Sequence, residues 1–109
     1  MEEIREAVDF CRYYAEQAQT NFDKPKRITS FDGVDQEMTY QGRGVFVCIS
    51  PWNFPLAIFL GQVCAALVAG NTVVAKPAEQ TSLIACRAIE LLMLTGIPQG
   101  VIQVVTGLG

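Results

Sequence analysis

One side chain in this sequence is of a type and in a position to polarise a carbonyl oxygen. Asn53 lies in the Ser-Pro-Trp-Asn-Phe-Pro run at 50–55, directly after the apolar segment Val45 to Ile49. A side-chain amide there can donate a hydrogen bond to an oxyanion that develops on a substrate carbonyl. Asn is also among the best N-cap residues, and an apolar segment typical of a helix follows. The spacing alone therefore favours a helix cap over a catalytic donor.

A cation and a carboxylate follow the next apolar segment, Thr72 to Ala75. Lys76 can bond ribose hydroxyls or a phosphate. Glu79 can accept hydrogen bonds from ribose hydroxyls and would repel a 2′-phosphate, which favours NAD over NADP. The alternative interpretation is that Lys76 is a solvated cation at a strand end and that Glu79 is a first-turn carboxylate favoured by the helix dipole. The residues themselves leave both interpretations open.

The cysteines do not suggest a nucleophile or a metal site. The chain has four, at 11, 48, 64 and 86, without a CxxC pair, and it has no His. A zinc site is therefore not expected, and neither Ser/His nor Cys/His pairs are possible. Cys48 falls inside a predicted strand, and Cys64 and Cys86 fall inside predicted helices, so we interpret them as core residues. Apolar neighbours around all four indicate reduced thiols in a cytoplasmic protein.

The composition is that of one small domain without an affinity for polyanions. Half of the 109 residues are hydrophobic, 17% are charged, and the net charge is −3. Neither nucleic acid nor an anionic membrane surface is expected as a partner. The longest apolar stretch is interrupted by Gly61 and Gln62, so no transmembrane segment is predicted. The N-terminus is acidic and amphipathic, unlike a secretory signal.

Apolar segments and chain breakers alternate regularly from Gly44 onward and predict a β-α-β-α-β order. The segments are strand 45–49, helix 55–69, strand 72–75, helix 80–94 and strand 101–105. This pattern is half of a doubly wound, Rossmann-like parallel α/β sheet. We expect the strands to be covered on both faces, the helix at 55–69 to be deeply buried, and Pro55 to lie in its first turn.

The first 43 residues carry a different pattern. Residues 2 to about 20 show an apolar stripe at helical spacing, which predicts an amphipathic helix. Residues 28–43 predict an irregular β-hairpin with a turn at Asp32-Gly33 and a strand-like stretch at 38–40. We therefore divide the chain into an N-terminal segment, 1–43, and a partial nucleotide-binding domain, 44–109.

Three junctions follow the three strands of the predicted sheet, at 50–55, 76–79 and 106–109. In an open parallel sheet, ligands bind outside the carboxyl ends of the strands, so all three junctions should share one ligand-binding edge. Gly107 and Gly109 would let the backbone approach a phosphate, although a single GxG is weak support.

Several motifs in register resemble the aldehyde dehydrogenase superfamily. They are ISPWNFP at 49–55, AGNTVVAKPAEQT at 69–81, and GIPQGVIQVV at 96–105 with the closing Gly107-Leu108-Gly109. The segment EAVDFCRYYA at 6–15 is most similar to the glutamate-semialdehyde (1-pyrroline-5-carboxylate) dehydrogenase module of the bifunctional proline utilization A flavoenzymes.

The resemblance implies roles for particular residues. Asn53 would be the side-chain half of an oxyanion hole. Lys76 and Glu79 would bind the adenosine ribose. The full set of implied cofactor-binding residues is Ile49, Ser50, Pro51, Trp52, Lys76, Glu79, Gly107 and Gly109.

The resemblance also implies a reaction that this sequence does not complete. In the family a Cys thiolate attacks an aldehyde, hydride passes to NAD, and a Glu base activates the water that hydrolyses the thioester. Those two residues would lie beyond position 109, so we expect a fragment of a longer, homo-oligomeric enzyme that is inactive by itself. FAD would belong only to a separate proline dehydrogenase domain of a bifunctional parent. A stand-alone nucleotide-binding module and an inactive interaction domain, associating through helix 55–69, are the alternatives.

Overall fold

Three parallel strands form the sheet around which residues 44–108 are arranged. The computed structural model describes residues 1–29 and 33–108. Its elements in chain order are α1 (Glu2–Asn21), β1 (Lys26–Ile28), β2 (Gln36–Met38), β3 (Val45–Ile49), α2 (Ala57–Val68), β4 (Thr72–Lys76), a 3-10 turn (Glu79–Thr81), α3 (Ser82–Met93) and β5 (Ile102–Val104). The sheet order is β3-β4-β5, and both pairings are parallel. The predicted α/β architecture is confirmed.

Among the described residues, helices cover one face of the sheet and leave the other open. On the central strand β4, Val73 and Ala75 are buried, and they share one hydrophobic cluster with Phe59 of α2 and Ala85 of α3. The side chains of β3 that alternate to the other face are open to solvent, with Val45 68% exposed. The expectation that the strands are covered on both faces is therefore wrong for this chain, because α2 and α3 pack on the same side of the sheet.

Helix α2 lies between the sheet and α1, which explains its nearly uniform apolar character. Phe59 and Val63 face the core and are fully buried. On the side toward α1, Gly61 faces the ring of Phe10, which would lie 3.4 Å from a Cβ at position 61. The predicted deep burial of this helix is confirmed. The division of the chain at residue 43 stays a prediction.

The N-terminal helix and the hairpin also form, with shifted hairpin strands. Helix α1 spans the predicted residues and packs against α2, and the two Sγ atoms of Cys11 and Cys64 lie 3.5 Å apart between them. Strands β1 and β2 pair antiparallel, with Arg27 opposite Glu37. The predicted hairpin began at residue 28, whereas β1 begins at Lys26, and the predicted second strand at 38–40 lies two residues further along the chain than the observed β2. The limits differ because these exposed strands are defined by backbone pairing rather than by an apolar pattern. Asp32 of the predicted turn lies outside the described residues.

Asn71, a buried amide, joins three parts of the chain near the beginning of β4. Its Oδ1 accepts hydrogen bonds from the backbone N–H groups of Arg43 (2.5 Å) and Gly44 (3.1 Å), and its Nδ2 donates to the carbonyl oxygen of Ala66 (3.1 Å). Gly42 lies against the backbone of Gly70, so closely that a Cβ at position 42 would be 2.1 Å from the Gly70 carbonyl oxygen. These contacts fix the path by which the chain enters β3.

Among residues 1–29 and 33–108, no helix is both long and apolar enough to cross a membrane.

Candidate functional site

The carboxyl ends of the three parallel strands lie side by side, as predicted. Ile49 is in register with Lys76, and Ala75 with Val104. Beyond the last paired residue of β3, the N–H of Ser50 donates to the carbonyl oxygen of Lys76 (3.2 Å). The N–H of Val105 donates to Ala75 (2.9 Å) in the same way. The junctions that follow the strands therefore leave the sheet at one common edge.

The helix-cap interpretation of Asn53 is wrong. Helix α2 begins at Ala57 with Leu56 at its N-cap position, and no side chain of the cap residue makes the capping hydrogen bond. Pro55 consequently precedes the helix instead of lying in its first turn. The Asn53 side chain is exposed and makes no hydrogen bond to any part of the chain that the structure describes. Its amide is therefore available to an acceptor that is not part of residues 1–29 or 33–108.

The capping group of α2 comes from the other end of the chain. One carboxylate oxygen of Glu3, in the first turn of α1, accepts hydrogen bonds from the N–H groups of Leu56 (2.7 Å) and Ala57 (3.2 Å). A carboxylate at a helix N-terminus satisfies N–H groups that have no intrahelical partner and is favoured by the helix dipole. Sequence reasoning missed Glu3, because nothing local to α1 or α2 indicates that the two helix beginnings meet.

The residues around Asn53 form an apolar, solvent-accessible rim. Trp52 is 64% exposed, and Phe54 and Ile49 are exposed as well. Ser50, by contrast, is buried, which agrees with its place as the backbone anchor at the start of the junction. Large apolar side chains that are left accessible beside an unpaired amide are typical of a surface that contacts a ligand or another part of a protein.

Lys76 and Glu79 keep most of their hydrogen-bonding capacity. The Nζ of Lys76 donates to the carbonyl oxygen of Pro77 (3.1 Å), and one carboxylate oxygen of the exposed Glu79 accepts from Nε2 of Gln80 (3.1 Å). The two charged groups do not form an ion pair with each other. An ammonium group and a carboxylate at one strand end match a vicinal diol, whose hydroxyls both accept and donate, so this donor set fits a ribose.

The glycines after β5 are only partly described. Gly107 is exposed, has a φ of 150°, and has open space around the position of a Cβ. This backbone conformation is rare for residues with a side chain. Gly109 lies outside the described residues. A role for either glycine near a phosphate stays a prediction.

The cysteines do not supply a thiolate at this edge. All four are free; Cys48 and Cys64 are buried, and Cys11 and Cys86 are partly buried. Burial raises the pKa of the Cys48 thiol. Burial, followed by the neighbouring Cys11, raises the pKa of Cys64 to about 12. Both thiols are therefore protonated at neutral pH, as expected for core residues and not for nucleophiles.

Comparison with known proteins decides the family. The model of the aldehyde dehydrogenase family matches residues 1–109. The chain belongs to the aldehyde dehydrogenase family. Among curated relatives, the bifunctional protein PutA of Salmonella typhimurium is 53% identical over 107 residues, which are 98% of this chain and 7% of the relative. The 1-pyrroline-5-carboxylate dehydrogenase 2 of Bacillus subtilis is 44% identical over 104 residues, 95% of this chain and 20% of the relative.

Solved structures of aldehyde dehydrogenase relatives share the fold. A crystal structure of bifunctional proline utilization A superposes with a TM-score of 0.93 at 59% identity and covers 98% of this chain and 11% of its own. A 1-pyrroline-5-carboxylate dehydrogenase from Thermus, described with bound NAD, superposes with a TM-score of 0.90 at 37% identity and covers 98% and 21%. The chain thus spans about a fifth or less of these relatives.

Proposed function

We propose that residues 1–109 form the cofactor-side part of a longer NAD-dependent aldehyde dehydrogenase that oxidises glutamate γ-semialdehyde to glutamate in proline catabolism. The names of the relatives, PutA and 1-pyrroline-5-carboxylate dehydrogenase, support this substrate. The observation that carries the proposal is the unpaired amide of Asn53 at the edge where Lys76 and Glu79 also lie. In a bifunctional enzyme of this kind, FAD would belong to a separate proline dehydrogenase domain.

Each residue of this edge has a distinct task in the proposed enzyme. Asn53 donates a hydrogen bond to the oxygen of the substrate carbonyl as negative charge develops on it. Lys76 and Glu79 hold the adenosine ribose, and the exposed Ile49 and Trp52 provide apolar surface along the cofactor channel. NAD, when bound, accepts the hydride. The nucleophilic thiolate comes from sequence outside this segment, because all four cysteines lie inside helices or strands and none lies in a junction at this edge.

The exposed face of the sheet favours a longer enzyme over a stand-alone nucleotide-binding module. Val45 and Val47 are 68% and 64% exposed on one face of a single strand. Contiguous apolar surface of this kind is uncommon on monomeric soluble proteins. We propose that further parts of the same enzyme cover this face. We also propose that this enzyme is homo-oligomeric, as expected from the sequence.

The decisive experiment is Asn53→Ala in the full-length enzyme that carries residues 1–109. We expect kcat for aldehyde oxidation to fall by roughly 10²- to 10³-fold, the usual effect of removing one oxyanion donor. The Kd for NAD should not change, because the donor acts mainly in the transition state. The matched control is Gln99→Ala, which removes an exposed side-chain amide from the loop at the opposite edge of the sheet. A variant that loses thermal stability while its kcat holds would refute the oxyanion role.

A further inference from the structure

The segment that carries Asn53 is anchored by hydrogen bonds at its two ends. At its start, the N–H of Ser50 donates to the carbonyl oxygen of Lys76 (3.2 Å). At its end, Leu56 and Ala57 donate to the carboxylate of Glu3 (2.7 and 3.2 Å). Between these anchors, no hydrogen bond joins residues 51–55 to another element within the described ranges. The direction in which the Asn53 amide points therefore depends on these two anchors.

We propose that Glu3 is a positioning residue for Asn53. The inference rests on the proposed role of Asn53 as an oxyanion donor. Glu3 does not approach a reacting atom; it fixes the beginning of α2, three residues beyond the amide that does. The anchor at Ser50 belongs to the sheet itself, whereas the anchor at Glu3 is a single side chain from a different helix. Within the described residues, Glu3 thus supplies the side-chain hydrogen bonds that anchor this segment.

The chemistry of the contact explains why α2 depends on it. Leu56, at the N-cap position, has no side-chain oxygen, so the first turn of α2 has no local acceptor for its N–H groups. A carboxylate is the strongest available acceptor there, because its hydrogen bonds are charge-assisted and the helix dipole favours its charge. Without the Glu3 carboxylate, these N–H groups hydrogen-bond to water instead. The first turn of α2 can then fray, and the residues that precede it can move.

The test compares Glu3→Ala with Glu3→Gln in the full-length enzyme that carries residues 1–109. We expect Glu3→Ala to lower kcat by about 10- to 100-fold, because misplacing a catalytic group by about 1 Å costs up to about 10²-fold. Glu3→Gln keeps an acceptor oxygen of equal reach and should recover kcat to within about threefold of the parent enzyme. Glu2→Ala removes a carboxylate from the same turn of α1 that makes no hydrogen bond to α2 within the described residues, and it should leave kcat unchanged.

The double variant Glu3→Ala/Asn53→Ala shows whether Glu3 acts through Asn53. If it does, Glu3→Ala lowers kcat less than threefold in the Asn53→Ala background, because the misplaced group is already absent. Equal losses in both backgrounds would overturn the proposal, as would equal losses in Glu3→Ala and Glu2→Ala. Should Glu3→Ala not fold, Glu3→Asp, which is shorter by one methylene, takes its place with the same expected loss.

Failure of this inference can be told apart from failure of the proposed function. If Asn53→Ala lowers kcat and Glu3→Ala does not, Asn53 remains the oxyanion donor and only the positioning role of Glu3 is wrong. If Asn53→Ala leaves kcat unchanged, the proposed function itself is wrong. Hydrogen exchange then tests the anchor separately: Glu3→Ala should speed exchange at the amides of Leu56 and Ala57 at least tenfold, and unchanged exchange would refute the anchor as well.

Discussion

Gly42 is exposed, yet the structure leaves no room for a side chain there. A Cβ at position 42 would lie 2.1 Å from the carbonyl oxygen and 2.7 Å from the carbonyl carbon of Gly70. Ordinary contacts begin at 3.4 Å, so Gly42→Ala requires the two backbone segments to separate by about 1.3 Å. Both segments are backbone, and neither can rotate away as a long side chain would. The requirement for glycine at this position is therefore steric.

The cost of Gly42→Ala follows from what the separation disturbs. Overpacking alone destabilises a protein by about 1–3 kcal/mol. The same shift stretches the hydrogen bonds from the N–H groups of Arg43 and Gly44 to Asn71, each of which contributes about 1 kcal/mol. We therefore expect the free energy of unfolding to fall by about 2–5 kcal/mol. At about 4–8 °C per kcal/mol for a domain near 100 residues, Tm should fall by at least about 8 °C.

Thermal unfolding of the 109-residue chain, followed by far-UV circular dichroism, measures this loss against Gly61→Ala. Gly61 is buried within α2, and a Cβ there would meet the Phe10 ring at an ordinary 3.4 Å. Replacing a helical Gly by Ala should stabilise the protein by about 0.5–1 kcal/mol. The exposed glycine should thus be intolerant of Ala and the buried one tolerant. Equal changes in Tm for the two variants, or a larger loss for Gly61→Ala, would refute the steric argument.

Two further predictions concern ionisable side chains. Because the pKa of Cys64 is raised from 9.0 to about 12 in the folded state, its contribution to stability is fully present below pH 9 and is lost as the pH rises through 12. Urea unfolding should show the free energy of unfolding decline by up to about 1.4 kcal/mol per pH unit in that window. A Cys64→Ala variant with the same decline would contradict the attribution of this pH dependence to Cys64. Glu79→Gln in the full-length enzyme should raise kcat/KM for NADP relative to NAD, because it removes the charge that repels a 2′-phosphate. Glu90→Gln on the exposed face of α3 is the control. An unchanged ratio of kcat/KM for NADP to kcat/KM for NAD would count against ribose binding by Glu79.

The regular part of the fold was predictable because its signals are local. Strand β3 runs from Val45 to Ile49 in both sequence and structure, since an apolar β-rich segment there is bounded by Gly44 and Pro51. The shared edge of the junctions follows from parallel pairing alone. The hairpin was less accurate, because β1 and β2 are exposed strands whose limits depend on pairing with each other.

The candidate site was predictable in place but not in detail. The preference of Asn for N-cap positions predicted that Asn53 caps α2. This prediction failed because the N–H groups at the beginning of α2 bond to the carboxylate of Glu3, which lies 53 positions before Leu56. The amide of Asn71 likewise bonds to Arg43 and Gly44, 28 and 27 positions earlier. Such contacts are invisible to periodicity, because they depend on which surfaces meet after the helices pack. One of them, the contact of Glu3 with Leu56, anchors the end of the segment that carries Asn53.

The link between Glu3 and α2 has a consequence for how the protein is made. Glu3 leaves the ribosome 53 residues ahead of Leu56. At about 5–20 residues per second, α1 waits roughly 3 to 10 s for the helix it caps. During that interval the side of α1 that carries Phe10 and Cys11 has no partner, and an isolated helix of this length is only marginally stable in water. The side of α1 that packs on α2 therefore stays uncovered during synthesis until α2 emerges.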